Sequence, residues 1–320
     1  MDTKKGYEPS FLGHRLKVPL PKTGDVHKKD LAPVKGSRSA VLHYPHYSAV
    51  LSRKRKLPYF TAVNINSAAF RELKRNSLFG GGSDRWTIDE RAQAYQWGDE
   101  LYSEEGSNFD KGHLVKREDP QWGDDDLTAA EAARSTFFYS NCAPQVPELN
   151  REEWRSLEDY ILKKESAPNK LRVCVFTGPV LSDNDPVFVR AVKGQEVQIP
   201  VLFWKVIYFT ADGKTLNRVA FLMGQEKLLK KRRIVRPKEG ELEAVTRKPE
   251  FFNDFQDAST YQVNIDTVEK LTGLSFSPAA DPYHDKRPVK IILKKVEVSD
   301  LERFVDNKGL DFELQGLVLR

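Results

Sequence analysis

Apolar runs of strand length dominate the centre of this chain. "LRVCVFTGPVL" and "IPVLFWKVIYFTADGKTLNRVAFLMG" are punctuated by Gly, Pro and "ADG", the pattern of strands inside a sheet. Upstream, "YSAVLSRKRKLPYFTAVNI" holds two strand-like segments rich in Val, Tyr, Phe and Thr, joined by the basic turn Arg53 to Lys56. That pattern predicts a hairpin. "NREEWRSLEDYILKKE" has the other periodicity: Trp154, Leu157 and Ile161 recur at helical spacing, with Asn150 at the N-cap and Glu152 and Glu153 in the first turn. "NIDTVEKLT" predicts a short helix stopped by Gly273, and "DLTAAEAARSTFFYSN" a helix running into a strand. There is no regular βαβ alternation, so the fold class expected is α+β.

Residues 1–40 are rich in Pro, Gly and Lys without periodicity and read as an extended N-terminal arm, with "YEPSFLG" as an apolar anchor to the main body or to a partner. The body spans 41–280. From 281 to 320 a C-terminal extension follows, in which "VKIILKKVEV" alternates like a strand and "DFELQGLVL" could pair with it. The glycines of "LFGGGSDRW" are followed by no Gly-Lys-Ser/Thr, so they predict a flexible loop and not a phosphate-binding loop.

Composition adds less. With 39% hydrophobic and 30% charged residues, the chain has the balance of a soluble enzyme. The net charge of +5 favours an acidic polymer as partner only where cations cluster, as in "KLLKKRRIVRPK". Cys142 and Cys174 lie in apolar surroundings and are expected as reduced core residues. With no apolar leader and no apolar span of about 18 residues, a cytoplasmic protein without membrane contact is expected. "HYPH" puts two histidines three apart, but Pro45 opposes a helix and no cysteine or further acidic partner adjoins, so no zinc site is expected.

The chemistry centres on "NFDKGHLVKRED", where His113 follows an Asp-Lys-Gly turn. Phosphodiester hydrolysis needs a base for water, a divalent cation and phosphate donors. An imidazole of unperturbed pKa about 6.5 can be that base. Asn141, Asn150 and Glu158 offer oxygens on one turn and one helix, and an amide oxygen with retained waters suits Mg²⁺. On spacing alone the plainer reading stands beside it, with Asn150 as an N-cap, Glu158 on a solvated helix face and His113 as a turn residue.

Taken together, "FDKGHL" and, about thirty residues on, "SNCAPQVPELNREEWRSLE" resemble the DNA/RNA non-specific endonucleases of the ββα-metal superfamily, which include endonuclease G. Ser140, Asn141, Pro144, Gln145, Asn150, Trp154, Leu157 and Glu158 match its pattern, and flanks such as "FTGPVL", "AFLMGQ" and "LTGLSF" extend the likeness over roughly residues 40 to 276. The resemblance implies a ββα-metal fold, a mainly antiparallel central sheet flanked by helices. It implies a Mg²⁺-dependent endonuclease, with Mn²⁺ as a substitute, that cuts DNA, RNA or both to 5′-phosphate ends. His113 would be the general base, Asn150 the direct metal ligand, Glu158 the holder of a metal-bound water, and Asn141 would orient base or substrate. Asp110 and Gly112 would shape the turn. Lys111 stands where the family usually has Arg, keeping the charge without the bidentate fork. Arg85 is the candidate for an upstream substrate-binding arginine; the basic position one turn after the glutamate is Leu162, with Lys163 and Lys164 beside it. A homodimer would be in keeping with the family. Two further expectations differ in kind: a nuclease fold that only binds nucleic acid or a protein, and a nuclease regulated by a partner through 1–40 or 281–320, as an effector of bacterial anti-phage defence.

Overall fold

Successive residues of Leu202–Phe209 enter different cores, and that alternation sets the architecture. Trp204, Val206 and Tyr208 face one apolar cluster, whereas Phe203 and Ile207 face two others across the sheet. The structure is a computed structural model that describes residues 6–74, 78–80, 84–102, 109–149, 172–210, 212–238, 257–281, 283, 289–290, 292–295 and 312–315.

Twelve of its strands carry the argument: β1 Val41–Tyr44, β2 Tyr47–Leu51, β3 Pro58–Asn66, β4 Asp110–His113, β5 Cys142–Gln145, β6 Arg172–Pro179, β7 Leu202–Phe209, β8 Asn217–Gly224, β9 Thr260–Val263, β10 Val289–Lys290, β11 Ile292–Lys295 and β12 Phe312–Gln315. Eight of them form one sheet in the order β10-β9-β8-β7-β6-β3-β2-β1. Every pairing in it is antiparallel. The expected α+β class therefore holds. β2 and β3 are the expected hairpin, and β7 and β8 pair antiparallel as a second one. β11 pairs with β12, joining the two segments of the C-terminal extension that the alternation had singled out.

Two helices follow their sequence signals. Asp126–Ser135 starts where the Asp125 carboxylate accepts the Thr128 N–H, and Ile265–Thr272 where Asn264 caps Thr267. The second ends at Gly273, whose φ of 65° is the left-handed conformation a C-terminal glycine supplies. The helix expected from Asn150 onward lies outside the described residues, as do positions 81–83 of the glycine loop.

From Gly6 the N-terminal segment lies along the body. Tyr7, Phe11, Leu12, Leu16 and Val18 are buried in the cluster that contains Trp204 and Phe176. Tyr7 donates its N–H to Ser48 Oγ at 2.9 Å and its hydroxyl to Val18 O at 2.8 Å, and Lys22–Thr23 pairs with Leu274–Ser275. The "HYPH" histidines serve the same assembly. His46 stacks on Trp122 with centroids 3.5 Å apart and donates Nε2–H to its carbonyl at 3.1 Å, and burial pushes its pKa down to about 4. His43 Nδ1 lies 3.0 Å from Ser48 Oγ. Both cysteines are buried and free. No described helix is long and apolar enough to cross a membrane.

Candidate active site

"DKGH" is a strand, not the expected turn. β4 runs antiparallel to β5 in the register Asp110↔Gln145, Lys111↔Pro144, Gly112↔Ala143 and His113↔Cys142. An Asp-Lys-Gly sequence has turn composition, but Gly112 is required here for space. A Cβ on it would lie 2.3 Å from both Cδ and Oε1 of Gln145, and its φ is not positive. The glycine lets the Gln145 side chain lie across β4.

The ring of His113 is held between two aromatics. Trp86 lies 4.5 Å away at 51° and Phe137 4.9 Å away at 90°, and Trp86 also packs edge-on against Phe137 at 5.4 Å. The residue is half-buried and its Nε2 is shielded from solvent. Neither aromatic was singled out from the sequence. The available signal was their place beside motifs already noted, "SDRWT" and "STFFYSN".

Asn141 is fully buried and faces the backbone. Its Oδ1 accepts the Val115 N–H at 2.9 Å, while Nδ2 donates to Val115 O and Thr136 O, both at 2.9 Å. Its carbonyl accepts the Leu114 N–H at 3.1 Å. Asn141 thus fixes the chain leaving His113. Behind it Ser140 Oγ lies 2.5 Å from the Tyr44 hydroxyl, which donates to Asp89 at 2.6 Å, and Arg91 grips the same carboxylate. Burial alone would raise the Asp89 carboxyl, yet hydrogen bonds from Arg91 and Tyr44 hold it below the ordinary range.

Lys111 reaches Asp99 Oδ1 at 2.6 Å, an oxygen that also accepts the Tyr139 hydroxyl at 2.5 Å. Asp99 is a partner the sequence reading missed, because it lies in the short helix Asp99–Tyr102 with no motif of its own. Arg85 is exposed and immediately precedes Trp86, whose ring packs on His113. Asp110 is half-buried at the start of β4. His113, Lys111, Asp110, Arg85 and Asn141 are therefore brought into one neighbourhood. Asn150 and Glu158 lie outside the described residues.

Gln145 is the residue here whose polar atoms are least satisfied. It is fully buried, and among the described residues neither Oε1 nor Nε2 has a hydrogen-bond partner. An orphaned buried amide costs about 1–3 kcal/mol. Its oxygen is of the hard kind that Mg²⁺ takes, but it opposes Asp110 and lies over Gly112, on the face of β4 turned away from His113; the hard oxygen donors expected for the cation are those of Asn150 and Glu158. Among the described residues there is no group of three or more His, Cys, Asp and Glu able to hold a metal ion. The basic run 227–238 is partly spent on carboxylates: Lys230 pairs with Glu226, Arg232 with Glu148 and Arg236 with Glu196.

Known proteins bear on this site. The model of the DNA/RNA non-specific endonuclease family matches residues 29–282. Among similar proteins, the uncharacterized protein y4fB of Sinorhizobium fredii is 35% identical over 236 residues, covering 70% of this chain and 33% of that one. Human mitochondrial endonuclease G is 31% identical over 124 residues, covering 37% of this chain and 39% of its own. A Nostoc nuclease is 28% identical over 182 residues, covering 57% and 54%. The chain thus spans between about a third and about half the length of these relatives. A crystal structure of the complex of EndoG with EndoGI superposes with a TM-score of 0.50 at 18% identity, over 75% of this chain and 86% of that one, and shares its ββα-metal nuclease fold. On the family match, which takes in β1 to β9 and the whole β4–β5 hairpin, this chain belongs to the DNA/RNA non-specific endonuclease family.

Proposed function

We propose that the protein is an endonuclease that hydrolyses phosphodiester bonds of DNA, RNA or both, with His113 as general base. The observation that carries this reading is the clamped imidazole. It sits on a strand locked to β5, between Trp86 and Phe137, with Nε2 turned into the protein. That leaves Nδ1 as the nitrogen we assign to the attacking water. A base fixed in this way loses little entropy on reaching its near-attack position.

His113 Nδ1 takes a proton from water as the water oxygen attacks phosphorus. The P–O3′ bond breaks, and the departing O3′ takes a proton from solvent, leaving a 3′-hydroxyl on one fragment and a 5′-phosphate on the other. Lys111 and Arg85 offer positive charge to the phosphate, Lys111 as a point charge drawn from its pair with Asp99. Asn141 holds the backbone that carries His113 in place. Asn150, with Glu158 nearby on the same predicted helix, would hold Mg²⁺, or Mn²⁺ in its stead; a cation there supplies the charge that opposes the negative charge developing on the leaving oxygen.

A plasmid and an RNA incubated with Mg²⁺, with a chelator as control, provide the test. Wild type should cut at least one of them, and His113→Ala should lose at least about 10²-fold in rate, the usual contribution of a general base. Undiminished cleavage by His113→Ala would sink the assignment. The engagement of Lys111 by Asp99 favours one second reading, a module that binds nucleic acid with weak or no turnover. Tight binding without cleavage in the same assay would select it.

A further inference from the structure

We propose that the tip of the β2–β3 hairpin carries a second nucleic-acid contact, an exosite in which Lys29, Arg53 and Lys54 hold backbone phosphates and Tyr95 meets a base; this inference rests on the nuclease reading. The tip borders an open cavity of about 530 Å³ lined by Lys29, Asp30, Arg53, Lys54 and Tyr95. Lys29, Arg53 and Lys54 are exposed, and Tyr95 is half-buried.

Asp30 is the one carboxylate on the cavity wall, and neutral donors occupy it. It accepts the Ser52 hydroxyl, the Lys54 N–H at 2.9 Å and the Tyr59 hydroxyl at 2.7 Å, while its carbonyl takes the Arg53 N–H at 2.8 Å. Asp30 therefore builds the tip through hydrogen bonds and pairs directly with none of the three side-chain cations, which outnumber its single charge. Among the described residues none of the three enters an ion pair, in contrast to Lys28 with Asp25, Lys193 with Glu100 and Lys230 with Glu226. The next two cations of the same turn are committed beneath it. Arg55 is paired with Asp185, and Lys56 lies 4.4 Å over the Trp97 ring and donates to Gln195.

The result is a braced tip that presents like charges around a concave surface. Such an arrangement costs repulsion until an anion enters, and several cations with an aromatic fit a single nucleic-acid strand better than an isolated ion. The path to the active site is short. Tyr95 and Asp99 are four residues apart, a contour of at most about 14 Å, and Asp99 is in contact with Lys111 on β4. A strand bound at His113 can thus continue to the tip.

The test uses the full chain carrying His113→Ala, in chelator, so that binding is read without cleavage. A fluorescent 20-nucleotide single-stranded DNA is titrated by anisotropy across salt concentrations. Lys29→Glu/Arg53→Glu/Lys54→Glu, and the milder Lys29→Ala/Arg53→Ala/Lys54→Ala, should weaken binding at least about tenfold and flatten the slope of log affinity against log salt by about 2, as three lost phosphate contacts require. Lys214→Glu, an exposed cation elsewhere, should change the slope little. Unchanged affinity and slope in both triple variants, or an equal loss in Lys214→Glu, would overturn the exosite. Plasmid cleavage by wild type is scored separately. Cleavage with tip-independent binding removes the exosite alone, and tip-dependent binding without cleavage removes the nuclease reading alone.

Discussion

At the scale of single residues, Gly112 shows how a correct motif can carry an incorrect local expectation. Its neighbours suggested a turn, yet the backbone is extended and the missing Cβ makes room for Gln145. Gly112→Ala should therefore cost about 1–3 kcal/mol through overpacking, read as a lowered denaturant midpoint. Gln145→Ala in the same chain should return part of that loss; no recovery in the double variant would mean that the clash lies elsewhere. By its own setting His113 read equally as a turn residue; the run of family-like motifs on either side singled it out as the candidate base. Trp86 and Phe137 were not legible, because a ring's role as a clamp depends on which partner the fold sets across from it. Lys111 was noticed as a departure from Arg, but its pairing with Asp99 is a contact across the fold. Lys111→Ala should lower kcat/KM about 10- to 100-fold, matching the loss of one charged hydrogen bond of about 1.5–3 kcal/mol, as measured on a plasmid substrate. An unaltered rate would remove Lys111 from phosphate binding.

At the scale of elements, strands were the legible part. β3, β6, β7 and β8 are long apolar runs because the sheet is covered on both faces, and no register was needed to see them. What holds the β2–β3 hairpin to the rest was invisible, since Arg55 and Asp185 are 130 residues apart. Arg55 Nη2 meets Asp185 Oδ2 at 2.6 Å, with Nη1 on Ser182 O at 2.8 Å and Nη2 also on Gln198 O at 3.0 Å. Burial pushes the Asp185 carboxyl up to about 6 although Arg55 pulls it down. A carboxyl raised on folding binds its proton more tightly in the native state. Its contribution to stability is thus greatest below the unfolded pKa of about 3.9 and is lost as pH rises through about 6. Arg55→Met leaves that carboxylate buried without its partner, which should cost about 3–5 kcal/mol at pH 8. The loss should be smaller at pH 5, where the carboxyl can take up a proton. Urea unfolding at the two pH values measures the difference, and an equal loss at both would contradict the raised carboxyl.

At the scale of the molecule, the sheet separates two packed layers. One face packs against Tyr7, Phe11, Leu12, Leu16 and Val18 together with the helix Ile265–Thr272, and the other packs against the β4–β5 hairpin and its neighbours. The N-terminal arm could be recognised in the sequence as extended with an apolar anchor, but not which surface the anchor would find. Its burial changes what regulation through this segment could mean. The anchor residues are spent on the chain's own core and are not offered to a partner. Each contributes about 1.5–3 kcal/mol on burial, and together they approach the about 5–15 kcal/mol that keeps a domain folded. Removal of residues 1–20 should therefore unfold the protein or lower its thermal midpoint by many degrees, with nuclease activity lost in step. An autoinhibitory arm makes the opposite prediction, a truncated chain that stays folded and cuts faster. Circular dichroism melts and plasmid cleavage on the same preparations separate the two, and a folded, activated truncation would show that the arm restrains the site across the sheet instead of completing the core.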